Sequence, residues 1–243
     1  EGSLVTAMDM SGNGNDGIMV NTTYSESSPG SLSTASLSFD TTQAGYAYSY
    51  VTIPDSPSLR PNSSLTLAAW VKTEANEFRS CGIICKQYGS GTSDSFALWC
   101  QYGTVRFYID DGTLTYHTIS IEAPTANEWH HIVATYDGSL MRLYVDGVER
   151  VNGTFTGSLL YDENPVLIGA DCDNADHIPD AGWNGFIDEV LIYSRSLSQA
   201  EIAQIIPEFP SGLALSFFMS AAMIGVTVYT CRGRKQANLS SRY

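Results

Sequence analysis

The sequence predicts an all-β antiparallel sandwich followed by one C-terminal membrane helix, and three observations predict it. Apolar and polar residues alternate from His131 to Tyr136, and Met141, Leu143 and Val145 resume the same period of two. Asp137-Gly138 and Asp146-Gly147 close these runs with the dipeptide that suits the φ > 0 positions of tight hairpin turns, leaving no room for a helix between them. Helical periodicity is nearly absent until an uncharged span at residues 213–231.

Earlier elements follow the same pattern. Ser36 to Asp40, Tyr50 to Leu59 and Leu65 to Lys72 read as strands, and Gly185 to Tyr193 as the last one. Ser198 and Glu201 form a capping box ahead of Ile202, Ile205 and Ile206, which predicts one short helix. Some 200 residues suffice for a single sandwich with its own core.

These blocks, in this order, resemble a laminin-G-like, concanavalin A-like jelly roll. Ala7 to Asn21 (AMDMSGNGNDGIMVN) is similar to the family's opening loop, Trp129 to Glu149 to its hairpin pair, and Gly185 to Ile202 to its last strand and helical tail. The resemblance implies an antiparallel jelly-roll sandwich over residues 1–206, with a secretion signal and one terminal strand expected ahead of Glu1. It also implies a binding module.

Charge narrows the partners. All 26 acidic residues lie at or before Glu208, four of the 12 basic residues follow it, and the whole chain carries −14. Such a surface repels phosphate backbones, which excludes nucleic acid as a partner. Beyond the sandwich the sequence divides into a Pro-Glu-Phe motif at 207–212, the span 213–231, and a basic tail at 232–243. Nineteen residues make a helix of about 28 Å, close to the ~30 Å hydrocarbon core. Arg232, Arg234 and Lys235 place the tail in the cytoplasm and the sandwich outside, as a single-pass surface protein. Pro207-Glu208-Phe209 ahead of such a span resembles the PEF-CTERM class of archaeal sorting signals, which implies an archaeosortase partner and a processed surface protein.

Catalysis finds no support in the motifs. Asp188 and Glu189 are adjacent, so regular alternation would send them to opposite faces and deny them a shared substrate. His130 and His131 likewise face opposite ways, with His131 expected in the core, and no nucleophile motif accompanies them. The chain therefore reads as a non-catalytic recognition or adhesion module for a glycan or a surface protein. A structural envelope component, or an accessory domain of a carbohydrate-active enzyme whose catalytic part lies upstream, are the alternative readings.

Candidate ligand positions follow from residue type. Trp99, Tyr102, Tyr108, Tyr116 and Trp183 could stack on a pyranose face, and Trp183, in a loop before the last strand, is expected to be the exposed one. A structural calcium ion is expected on Asp188 with Asp9, Asn13 and Asp16, because Asp188 would share an inward face with Val190 and Ile192 and need a counter-charge. The cluster Asp171, Asp173, Asp176 and Asp180 fits an EF-hand loop less well. Asn21, Asn62 and Asn152 begin glycosylation sequons. Cys81, Cys85, Cys100 and Cys172 permit three disulfide connectivities; a Cys85–Cys100 bridge between consecutive strands is one candidate, with the register undetermined.

Overall fold

The computed structural model describes residues 5–29, 35–41, 49–74, 80–90, 93–112, 117–172, 178–206 and 226–229. In chain order the strands are β1 (Thr6–Ala7), β2 (Gly17–Val20), β3 (Thr23–Ser25), β4 (Ser36–Phe39), β5 (Tyr50–Ile53), β6 (Leu65–Thr73), β7 (Cys81–Tyr88), β8 (Ser93–Gln101), β9 (Thr104–Ile109), β10 (His117–Glu122), β11 (His130–Tyr136), β12 (Leu140–Val145), β13 (Val148–Thr154), β14 (Val166–Ile168), β15 (Gly185–Tyr193) and β16 (Val226–Tyr229), with the helix α1 (Gln199–Ile205) after β15. They form two antiparallel sheets, ordered β1-β2-β5-β14-β7-β8-β9-β10 and β13-β12-β11-β6-β15-β4-β3, with β16 added on β15.

The predicted hairpin forms. Ile132 lies opposite Val145 and Tyr136 opposite Met141. Asp137 closes the turn by accepting the Ser139 and Leu140 amides on Oδ1, and Asp146 with Gly147 adopts the φ > 0 pair that Asp-Gly favours, at 51° and 76°.

The core lies between the inner faces. Leu67, Ala69 and Val71 of β6, Ile132, Ala134 and Tyr136 of β11, and Ile187, Val190 and Ile192 of β15 meet Ile84, Phe96, Leu98, Phe107, Val51 and Ile53 of the first sheet. Each fully buried large side chain contributes about 1.5–3 kcal/mol. The outer face of the second sheet is covered at one end by α1, where Leu197 and Ile202 pack on Ala68, Val133, Tyr144 and Leu191. The predicted capping box is formed: Ser198 accepts the Glu201 amide while the Glu201 carboxylate accepts the Ser198 amide.

Three expectations change. Cys85 turns to the outer face of the first sheet beside Ala97, while Cys100 faces the core, so they cannot be bridged. A bulge at Glu189, held at φ 48°, sets Asp188 opposite Trp70 and then Leu191 opposite Ala68. The extra residue reverses the alternation, and Asp188 leaves the face of Val190 for the outer one. Finally, Val226–Tyr229 form a strand antiparallel to β15 from Val190 to Tyr193, where the predicted membrane helix would have run. Residues 207–225 and 230–243 lie outside the described residues, and among the described residues no helix is long and apolar enough to cross a membrane.

Candidate functional site on the outer face of the first sheet

Alternation on β8 and β9 sends Phe96, Leu98, Cys100, Val105, Phe107 and Ile109 into the core and leaves Ala97, Trp99, Arg106 and Tyr108 on the outer face. Lys86 lies opposite Phe96 and Gln87 opposite Asp94, so Ser95 is an extra residue in β8. This bulge returns Asp94 to the outer face, where its charge acts on Tyr108. The Tyr108 hydroxyl donates to Asp110 Oδ2 at 3.3 Å. Burial, with the charges of Asp110 and Asp94, pushes the phenol well above its ordinary range, so it stays protonated and remains a donor.

Nearer the hairpin end the face is more open. Gly82, Trp99, Arg106 and Ser120 stand side by side across four strands. The Arg106 guanidinium sits 5.6 Å from the Trp99 ring centre, in cation–π contact, and its Nε donates to Thr104 Oγ1 at 3.0 Å. Gly82 is required here because a Cβ would stand 2.2 Å from the Ala170 carbonyl oxygen. The segment after β14 therefore walls the platform on that side, held by Gly82 N to Ala181 O and Asp171 N to Ala181 O. At the hairpin tip Tyr102 and Gly103 take positive φ, and Tyr102 is 83% exposed.

The outer sheet face thus offers a partly exposed indole, an exposed phenol, a guanidinium and recessed carboxylates. Apolar ring faces with a few oriented polar groups suit a sugar, whose C–H face stacks and whose hydroxyls accept and donate. Arg106, Asp94 and Asp110 escaped the reading of the sequence. Arg106 was signalled by its place between Val105 and Phe107, but the bulge that brings Asp94 to this face leaves no trace in residue type.

The predicted positions fare unevenly. Trp183 is 1% exposed and belongs to the core, contrary to its expected exposure. Its loop does not lie free: Trp183 N donates to Gly169 O and Glu74 N to Asn184 O, which stitches the segment across the end of the sandwich and drives the indole inward. Trp99 and Tyr102 do reach the surface, and Tyr116 lies outside the described residues. The three sequon residues Asn21, Asn62 and Asn152 are exposed.

The expected calcium ligands are not gathered. Asp188 is buried on the outer face of the second sheet, in line with Trp70 and His131, and its Oδ1 accepts the Glu189 amide. Asp9 and Asp16 lie in the loop between β1 and β2, at the edge of the first sheet. There Asp9 accepts Ser11 N, Ser11 Oγ and Asn15 N, and Asp16 accepts Asp9 N, while Asn13 Nδ2 donates to Ser11 Oγ. Among the described residues no three His, Cys, Asp or Glu side chains converge on a common metal position. Of the second cluster, Asp171 and Asp180 join backbone to backbone, and Asp173 and Asp176 lie outside the described residues.

Two packed antiparallel sheets define a sandwich of the jelly-roll class. The chain belongs to the concanavalin A-like lectin/glucanases superfamily, whose model matches residues 44–203. Among solved structures it is similar to the binding domain of Paraclostridial Mosquitocidal Protein 1 (TM-score 0.61, 12% identity, 84% of this chain and 51% of that one). It is also similar to the botulinum neurotoxin serotype G binding domain (0.58, 14%, 80% and 47%). A third is domain 4 of AbnA, a GH43 extracellular arabinanase from Geobacillus stearothermophilus, in complex with arabinotriose (0.57, 16%, 76% and 81%). At these identities the likeness is one of fold, and the chain spans about half the length of the two toxin binding domains. No curated protein sequence matches the chain.

Proposed function

We propose that this protein is a non-catalytic, cell-surface glycan-recognition module whose ligand lies on the Trp99 platform. The observation that carries this reading is the partly exposed Trp99 ring, in cation–π contact with Arg106 on an outer sheet face. The fold likeness to toxin binding domains and to an arabinanase domain holding arabinotriose supports it. Titration of a glycan array hit against wild type, Trp99→Ala and Arg106→Ala is the test. Loss of one stacked aromatic ring is expected to weaken binding at least tenfold in Trp99→Ala, with some lowering of the melting temperature because the ring also packs on Ala97 and Tyr108. Arg106→Ala is expected to weaken binding with a smaller effect on stability. Equal affinity in all three proteins would remove the ligand from this face. Turnover of a polysaccharide that disappears on substituting Asp188 or Glu189 would make the protein an enzyme instead.

Display at the membrane rests on the uncharged span 213–231 and the basic residues after it. Pairing of Val226–Tyr229 with β15 and insertion of the same residues as a helix exclude each other. Full-length protein is expected to sediment with membranes and a chain ending at Ile206 to remain in the supernatant. Recovery of both in the supernatant would leave Val226–Tyr229 with β15 and end the anchoring proposal. Processing by an archaeosortase at the Pro207 motif predicts a mature protein without Arg232 to Tyr243, read by intact mass.

A further inference from the structure

We propose that Cys81 and Cys100 form a disulfide that staples β7 to β8. Among the three pairings open to the four cysteines of the sandwich, the strand register selects this one: Cys81 stands directly opposite Cys100 across the antiparallel ladder. Directly opposed residues have Cα atoms about 4.5–5.5 Å apart, within the roughly 4.4–6.8 Å that a disulfide spans. Both side chains face the core, and each carries a free thiol in this structure. Cys85 projects from the opposite face, beside Ala97 and Tyr108, and Cys172 lies in the segment after β14, two residues beyond the Ala170 carbonyl that abuts Gly82. Of the four, Cys81 is the one paired with Cys100 in the ladder.

Burial dictates when the bond forms. Desolvation, reinforced by the Cys81 neighbour, pushes the Cys100 thiol well above its ordinary range, and the thiol rather than the thiolate is a poor nucleophile. Cys81 is 7% exposed and Cys100 wholly enclosed. Oxidation therefore precedes closure of the sandwich over β8. The reaction is an exchange: one thiolate attacks a small-molecule disulfide, the second displaces the mixed disulfide, and the oxidant leaves as two thiols carrying the two electrons and two protons. Once enclosed, the bond is out of reach of reductant.

The bond is independent of glycan binding and is tested on the full chain. The reduced, denatured protein is refolded in a mixture of oxidised and reduced glutathione, alkylated in denaturant, digested and mapped by mass spectrometry. The expected result is a peptide pair linked through Cys81 and Cys100, with Cys85, Cys172 and Cys231 alkylated. A Cys85→Ser/Cys172→Ser/Cys231→Ser variant is expected to form the same link, which separates the pairing from any reshuffling. Because the bridge closes a loop of about twenty residues, the oxidised protein should melt roughly 6–12 °C above the reduced one. Alkylation of both Cys81 and Cys100 after refolding, or a link from either to any other cysteine, overturns the proposal.

Discussion

Asp55→Ala is expected to destabilise the fold by about 3–5 kcal/mol, the loss that follows when one member of a buried ion pair is removed. Lys86 has no exposed side-chain surface, and its Nζ donates to Asp55 Oδ1 at 2.7 Å and to the Asn164 carbonyl at 2.5 Å. Desolvation pulls its ammonium below the ordinary lysine range, against the hydrogen bond and charge of Asp55. On Asp55, burial alone would raise the carboxyl, but hydrogen bonds from Arg60 and Lys86 more than offset it and hold the group below its usual range. Alanine at 55 leaves Lys86 with a single carbonyl partner inside the protein, so it must either stay charged there or lose its proton. Urea denaturation would show the loss as a lower midpoint at an unchanged slope. Adding Lys86→Met removes the stranded charge and is expected to restore most of the stability. A single variant within 1 kcal/mol of wild type, or a double variant no better than the single, would show that the pair does not hold this corner together.

The second large effect is on pH dependence. His131 is 1% exposed on the outer face of the second sheet, its ring centre 5.1 Å from that of Trp70, and its Nδ1 has no hydrogen-bond partner. Desolvation drives its pKa down to about 4, with the charge of Asp146 opposing. An unfolded chain takes up this proton near pH 6.5, whereas the folded protein refuses it until about pH 4. Between these values the unfolded state binds more protons, so stability is lost as pH falls from about 6.5 to about 4 and regained as it rises. The loss amounts to roughly 3 kcal/mol over that window. Denaturation at pH 7 and pH 4, in wild type and His131→Gln, isolates this term from the carboxylates, which titrate in both. Parallel losses in the two proteins would assign the acid sensitivity elsewhere.

Much of the fold was legible because it depends on local chemistry. Asp146-Gly147 marked the two-residue loop between β12 and β13, and the Ser198–Glu201 box marked the start of α1 from four residues. The alternation of Phe96-Ala97-Leu98-Trp99 matches the two faces of the sheet, with Phe96 and Leu98 inward and Ala97 and Trp99 outward. Alternation failed at Asp188 and could not anticipate the position of Asp94, because each lies beside a bulge. A single extra residue inverts every assignment beyond it, and nothing in the residue types of Asp188-Glu189-Val190 announces one.

The sequence by itself determined the all-β class, the positions of the main hairpins, the helix cap and the acidic surface, for these follow from residue periods of two, turn residues and charge counts. Tertiary structure alone decided which polar groups meet. Trp183 entered the core because its loop is hydrogen-bonded to Gly169 and Glu74, both distant in sequence. Lys86 became buried because Asp55, thirty-one residues earlier, and Asn164, seventy-eight later, close over its ammonium. Cys81 faces Cys100 rather than Cys172 through strand register. Each outcome depends on contacts between distant segments, where the free energy of burial outweighs local preference, and such contacts exist only once the two sheets have closed on one another.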